Sequence, residues 1–313
     1  MKQAKIVIVG AGAVGSTFAF TMMRSGLVGE IVLLDANRDR AEGEAMDLNH
    51  GLFFVPHVEV RVGEYSDCSG ASIVVITAGA KQRPGETRLD LVQRNTTICK
   101  EIMRQVMEYT RDSIILMVTN PVDILTQVAY RISGLPSGKV IGSGTVLDSA
   151  RLRFMLSRHC NVDSRNVHAY ILGEHGDSEV AAWSLTHIGG IPILHYCSIC
   201  KIDCGSEQRK RIADAVRDSA YHVIESKGAT NFAVSLALEN IVAAIVRDSN
   251  SVLTVSVPLK GEFGVSDVAM SVPVIVNREG VHHVLEPPLA EDELRALQRS
   301  ASVLQDILRQ ITI

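Results

Sequence analysis

Short apolar runs alternate with helical stretches along the first half of the chain. KIVIVG (5–10), EIVLLD (30–35), HVEVRV (57–62), SIVVIT (72–77), SIILMV (113–118) and KVIGSG (139–144) are rich in Val and Ile and too short for helices. Between most of them, apolar positions recur at three- and four-residue spacing. The clearest case is Leu91, Val92, Asn95, Ile98, Cys99, Ile102, Met103 and Val106, which predicts one buried helix face. Strands alternating with helices imply parallel pairing through right-handed crossovers, with helices on both faces of the sheet. Strands covered on both faces should be apolar nearly throughout, as these are.

The pattern changes after about residue 145. Long helical stretches run near 206–225 and 230–247, strand-like runs occur at SVLTVSVPL and VPVIV, and a last helix is predicted from about Glu291. No repeat or low-complexity linker separates the halves. The fold expected is α/β, a Rossmann-type doubly wound parallel sheet over 1–145 followed by an α+β domain over 146–313, packed as one unit.

The glycines sharpen this reading. GAGAVG, Gly10 to Gly15, follows the first strand and opens a helical pattern, the context that a dinucleotide-binding turn requires. Gly10 would allow the tight turn, Gly12 the close approach of a pyrophosphate, and Gly15 the packing of helix on strand. Asp35 stands at the tip of the second strand, where a carboxylate accepts from ribose hydroxyls and repels a 2′-phosphate, so NAD is favoured over NADP. A solvated turn acid is the plainer alternative for Asp35.

A cationic, glycine-bounded loop, GAKQRPGETR (79–88), leaves the fourth strand. A surface turn is one reading; a lid over an anionic substrate is the other, with Gly79 and Pro84-Gly85 as bend points. Asn120 sits in VTNPVD just past a strand, where open parallel sheets place ligands. Asp148 and Arg151, three apart in LDSARLR, share a helix face. His175 lies in ILGEHGDSEV. Taken singly, Arg88 reads as a helix-start arginine, Asp148 as a cap acid and His175 as a core histidine.

Taken together, GAGAVG, LLDAN, GAKQRPGETRLDLVQRN, VTNPVDIL, GTVLDSARLR and GEHGDSEV resemble the signatures of the bacterial L-lactate dehydrogenases, within the wider lactate/malate dehydrogenase family, from Lys5 to at least Thr230. The resemblance implies an NAD-dependent exchange of hydride between NADH and pyruvate, giving L-lactate. His175 would be the proton donor and acceptor, oriented by Asp148, and Arg88 would polarise the reacting carbonyl. Arg151 would hold the substrate carboxylate, Asn120 would bond near the carbonyl, and Thr230 would shape the pocket wall. NAD would be held by Gly10, Gly12, Val14, Gly15, Asp35, Arg40, Tyr65, Gly79, Ala80, Val118, Asn120 and Ser143. Lactate dehydrogenases carry Gln where this chain has Gln82, and malate dehydrogenases carry Arg there, so pyruvate is favoured. Malate dehydrogenase and a non-enzymatic NAD-binding protein are the alternatives; the latter would need no proton relay.

The resemblance also implies a cis Asn120–Pro121 bond, a homo-oligomer, usually a tetramer, and an allosteric site for fructose 1,6-bisphosphate at Arg153 and His168. The plain reading of those two is ordinary interface residues.

Composition narrows the partners. With 46% hydrophobic and 21% charged residues and a formal charge of -4, the chain reads as globular, with no pull toward nucleic acid or anionic membrane. No apolar run is long enough to span a bilayer, and MKQAKIVIVGAG lacks a secretion signal's apolar core, so a cytoplasmic location is expected; the family resemblance implies a place in glycolysis and fermentation. Cys197, Cys200 and Cys204 cluster beside His195, but no distant ligand pair accompanies them. No metal is expected, and they read as reduced thiols in a variable surface segment.

Overall fold

The computed structural model describes residues 4–81, 85 and 87–313; Gln82, Arg83, Pro84 and Glu86 lie outside that set, as does the side chain of Arg88. The first half alternates as its pattern predicts: β1 (Ala4–Val9), α1 (Ala13–Ser25), β2 (Val28–Leu34), α2 (Arg38–His50), β3 (Glu59–Val62), β4 (Ile73–Ile76), α3 (Arg88–Tyr109), β5 (Ile114–Met117), α4 (Val122–Ser133) and β6 (Val140–Gly142). These six strands run parallel in the order β3-β2-β1-β4-β5-β6. Strand order reverses between β1 and β4, the point at which such sheets open a crevice at their carboxyl ends. Ile6, Val7, Ile8, Ile73, Val74, Val75, Ile115 and Leu116 have no exposed surface, because helices cover both faces.

The second half begins with α5 (Val146–Cys160), followed by short strands β7 (Val167–His168), β8 (Ile171–Leu172), β9 (Val180–Ala181), β10 (His187–Ile188) and β11 (Ile191–Pro192). Helices α6 (Ile193–Cys200), α7 (Ser206–Lys227) and α8 (Phe232–Val246) come next. The chain ends with β12 (Ser251–Leu253), β13 (Ser256–Lys260), β14 (Ser266–Ser271), β15 (Val274–Asn277), β16 (Gly280–Val284) and α9 (Glu291–Gln310).

Two features differ from the sequence expectation. SVLTVSVPL is two strands in two sheets: β12 pairs antiparallel with β15, while β13 joins β6. Thr254 marks the break. Its carbonyl accepts the Thr145 N–H at 3.0 Å and its hydroxyl lies 3.0 Å from that of Ser149, so the start of α5 fixes the turn from sheet to sheet. Second, β13 and β14 extend the first sheet to eight strands with an antiparallel hairpin, so the halves share one sheet.

The loop after β4 is anchored at both ends. Thr87 caps α3 by accepting the Asp90 N–H at 3.1 Å, and Asp90 accepts the Thr87 N–H at 3.2 Å, a reciprocal capping box. At the other end, Asn95 on α3 is 2% exposed, a polar residue within an apolar face. Its Oδ1 accepts the Ala80 N–H at 2.8 Å and its Nδ2 donates to the Asn120 carbonyl at 2.9 Å. Arg94 donates to the Lys81 carbonyl at 2.8 Å. The base of the loop is therefore tied to the turn after β5.

Candidate active site

One part of the site is built of backbone. Gly10 turns at φ 109°, and a Cβ there would stand 2.5 Å from the Ala78 nitrogen. A Cβ on Gly15 would overlap the Gly10 carbonyl oxygen, whereas one on Gly12 would meet nothing within 4 Å. Gly12 thus faces open space at the start of α1, a helix with no side-chain cap and no acid in its first turn. Free N–H groups and the helix dipole make that end receptive to an anion. Asp35 accepts the Ala11 N–H at 2.7 Å on one oxygen and the Asn37 N–H at 2.8 Å on the other. The carboxylate ties the glycine turn to the tip of β2 and keeps lone pairs for further donors.

A groove of about 1170 Å³ opens there, and its lining includes Gly10, Gly12, Asp35, Arg40, Tyr65, Gly79 and Ala80. An anion-receptive helix end, a carboxylate at ribose distance along the fold and a long open groove fit a dinucleotide. Val14 and Gly15 lie within α1, and Val118, Asn120 and Ser143 follow β5 and β6 along the same sheet edge. Gly79 is needed for packing: a Cβ there would collide with the Thr119 methyl. The Asn120–Pro121 bond is cis, and Asn120 is exposed at that turn.

A second cluster is built of side-chain charge. Asp148, on the first turn of α5 and 2% exposed, is bonded on both oxygens: His175 Nδ1 lies 2.5 Å from Oδ2, and Arg151 donates to Oδ1 at 2.7 Å. The Asp148–Arg151 spacing shows in the sequence; the approach of His175 is a tertiary fact. His175 keeps 23% of its side chain accessible. Burial disfavours its charge, but Asp148 outweighs burial and lifts the imidazole to about 9. Burial likewise pushes Asp148 up, yet His175 and Arg151 hold it below its ordinary range. At neutral pH the site holds an imidazolium clamped to a carboxylate.

The loop carrying His175 is bolted down. Gly173 exchanges N–H and carbonyl with Ser271 at 2.8 and 2.9 Å, and the Glu174 N–H donates to Ser300 Oγ at 2.8 Å. The His175 N–H donates to Oδ2 of Asp123, on the first turn of α4, at 2.7 Å. Glu179 faces the relay; burial, then the nearby Asp148, pushes it up to about 8. Asp123 and Glu179 escape a sequence reading because each looks like an ordinary polar position until tertiary packing buries it.

The remaining expected positions are spread out. Gln82 and the Arg88 side chain fall outside the described residues. Thr230 lies in the turn between α7 and α8, which Asn231 holds to α1 through a 3.0 Å bond to Thr17. Arg153 donates to the Ala169 carbonyl at 3.1 Å and lies over the Tyr170 ring, next to the exposed His168. The thiols are not all on the surface: Cys204 is buried and meets Cys160 from the end of α5 as well as Cys197. Cys197 and Cys200 stand three residues apart on α6. Burial holds the thiol of Cys160 up at about 11 and that of Cys197 at about 12, so both stay protonated. Among the described residues, no group of three or more His, Cys, Asp or Glu is disposed to hold a metal ion.

Residues 4–142 match the family model described as lactate/malate dehydrogenase, NAD binding domain, and 145–312 match lactate/malate dehydrogenase, alpha/beta C-terminal domain. The chain is 55% identical over 309 residues to an L-lactate dehydrogenase of Thermoanaerobacter sp. (strain X514), covering 99% of each chain. It is 54% identical over 310 residues to an L-lactate dehydrogenase of Acetivibrio thermocellus, covering 99% of this chain and 98% of that one. Its fold superposes on the crystal structure of a minor L-lactate dehydrogenase from Enterococcus mundtii with a TM-score of 0.97, at 41% identity and full coverage of both chains.

Proposed function

The chain belongs to the lactate/malate dehydrogenase family, and on that premise we propose that it is an NAD-dependent L-lactate dehydrogenase with residues 1–145 holding NAD and 146–313 the substrate. The observation that carries this reading is the Asp148–His175 couple, with Arg151 on the same carboxylate, in a chain that also has an open groove at the glycine turn.

Bound NADH supplies the hydride. His175, as imidazolium, donates the proton that turns the developing alkoxide into a hydroxyl, and as neutral imidazole takes it back in the reverse direction. Asp148 keeps Nδ1 engaged, so Nε2 is the atom that works on substrate. Arg151 gives one N–H to Asp148 and has others for the substrate carboxylate. Asn120 at its turn, Thr230 beside α1, and Arg88 by its place at the end of the loop complete the substrate shell. Around NAD, Gly10, Gly12, Val14 and Gly15 serve the pyrophosphate and Asp35 the adenosine ribose. Arg40, Tyr65, Gly79 and Ala80, which line the groove, and Val118 and Ser143, which follow β5 and β6, complete the proposed NAD site.

Gln82 is the proposed selector. Its amide offers no charge to the second carboxylate of oxaloacetate, and closing the loop over that group costs on the order of 3–5 kcal/mol. Pyruvate should therefore be preferred by roughly two to four decades in kcat/KM. Oxidation of NADH with pyruvate and oxaloacetate in parallel is the test. Equal rates would favour malate dehydrogenase, and no oxidation would leave an NAD-binding protein. Gln82→Arg should move the substrate ratio by at least ~10-fold toward oxaloacetate; a smaller change removes Gln82 as selector.

Two further readings rest on the surface. Phe53, Phe54, Phe232 and Leu236 are large apolar side chains exposed on the single chain, which supports a homo-oligomer, read as a tetramer. Arg153, bonded to the Ala169 carbonyl, and His168, exposed one residue before Ala169, are the residues of the proposed effector site for fructose 1,6-bisphosphate. Pyruvate saturation curves that a millimolar-range bisphosphate leaves unchanged would remove it. No helix among the described residues is long and apolar enough to cross a membrane, and the cytoplasm, where glycolysis supplies pyruvate and NADH, is the proposed location.

A further inference from the structure

Asp123 is 2% exposed and sits at the start of α4, directly after the cis Asn120–Pro121 turn. One carboxyl oxygen accepts the His175 N–H at 2.7 Å. The other is buried and faces the Ser256 hydroxyl, which has no other partner among the described residues. A carboxylate so deeply buried is costly, burial pushing Asp123 up to about 6, and an asparagine would accept from the same N–H without that charge. The charge therefore does something the hydrogen bond alone does not. What it faces is the imidazole of His175, with which it interacts favourably.

We propose that Asp123 is a second carboxylate of the proton relay, a positioning residue that fixes His175 through its backbone and holds negative charge against the imidazolium. Asp148 thus holds the ring at Nδ1, while Asp123 holds the main chain that carries it and acts on the ring through its charge. The other charged groups around them are few. Arg151 is engaged on Asp148, and Glu179 faces the ring from its own loop, with Arg217 of α7 facing Glu179 in turn. Glu174 faces Asp123 and opposes its ionisation. Two anions beside one ring keep it protonated over a wider range than Asp148 could alone, so proton supply for keto-acid reduction persists to higher pH.

This inference rests on the lactate dehydrogenase reading, and its test separates the two. Asp123→Asn keeps an acceptor for the His175 N–H and removes the charge. The alkaline midpoint of kcat/KM for pyruvate should fall by about one unit, which is about tenfold more loss at alkaline pH than at acid pH. A purely structural role would lower activity by the same factor at every pH, and that result overturns the inference. Modification of His175 by diethylpyrocarbonate should show the same midpoint shift, and it reads the imidazole even if the chain reduces no keto acid. Isotope-edited infrared spectra of wild-type protein labelled at aspartate add an arm that needs no variant. Only ionised carboxylates are expected at neutral pH, and a protonated aspartic acid band there would overturn the inference.

Discussion

The glycine turn and the relay cluster solve the problem of holding a charged ligand differently. At the glycine turn the protein offers bare backbone: Gly10, Gly12 and Gly15 clear space, and the N-terminus of α1 presents N–H groups that no side chain caps. At the relay cluster it offers buried side-chain charge: Asp148, Arg151, His175 and Asp123 within one hydrogen-bonded set. Backbone N–H groups do not titrate and imidazoles do. One site therefore rests mainly on backbone, with Asp35 beside it, and the other on side chains that include a titrating imidazole.

The largest test of this contrast is His175→Asn. General acid–base groups contribute about 10²–10⁴-fold, so kcat should fall by about a thousandfold while NADH affinity, measured by fluorescence, stays within about twofold. Loss of both together would mean that the two are not separable. The mirror experiment is Gly10→Ala, which places a methyl 2.5 Å from the Ala78 nitrogen in a left-handed backbone. NADH affinity should drop by roughly a hundredfold, about 2.7 kcal/mol, with some loss of stability. The alkaline midpoint for His175 in the remaining activity should stay in place.

The smallest effect is on stability. His175 is raised from 6.5 to about 9 on folding, so its stabilising contribution is complete below pH 6.5 and is lost as pH rises through about 9. Glu179, raised from 4.5 to about 8, acts in the same direction: its burial as an acid is tolerated at low pH and becomes costly as pH rises through about 8. Both groups bind protons more tightly when folded, so the melting temperature should fall from pH 6 to pH 9. Glu179→Gln should flatten that fall; an unchanged slope would show that Glu179 is not buried as an acid. NADH binding to folded protein should stay level over the same range, since the groove relies on backbone.

The same contrast sets what the sequence discloses. β1 to β6 are legible because a strand buried on both faces must be apolar at nearly every position, and the glycines because so few residues tolerate the turn at Gly10. Asp148 and Arg151 show their shared face through local spacing. The approach of His175 to Asp148 is not local, and only resemblance to a family supplies it in advance. Asp123 and Glu179 have no sequence signal: an acid in the first turn of a helix is ordinary, and only the packing of α4 under the His175 loop makes it otherwise. Cys160 joins the later thiols for the same reason. SVLTVSVPL misleads because its break is imposed by α5 and not by any residue within it.

The hairpin of β13 and β14 bears on how the chain is made. β6 has β5 on one side, and on the other it pairs with β13 where Ser256 meets Gly142. Ser256 leaves the ribosome long after Gly142, so the six parallel strands must wait with an open edge until the hairpin arrives. An open edge strand is a template for pairing with a neighbouring chain. The first half expressed alone, complete in its glycines and its groove, would be a nascent intermediate frozen at its most aggregation-prone moment.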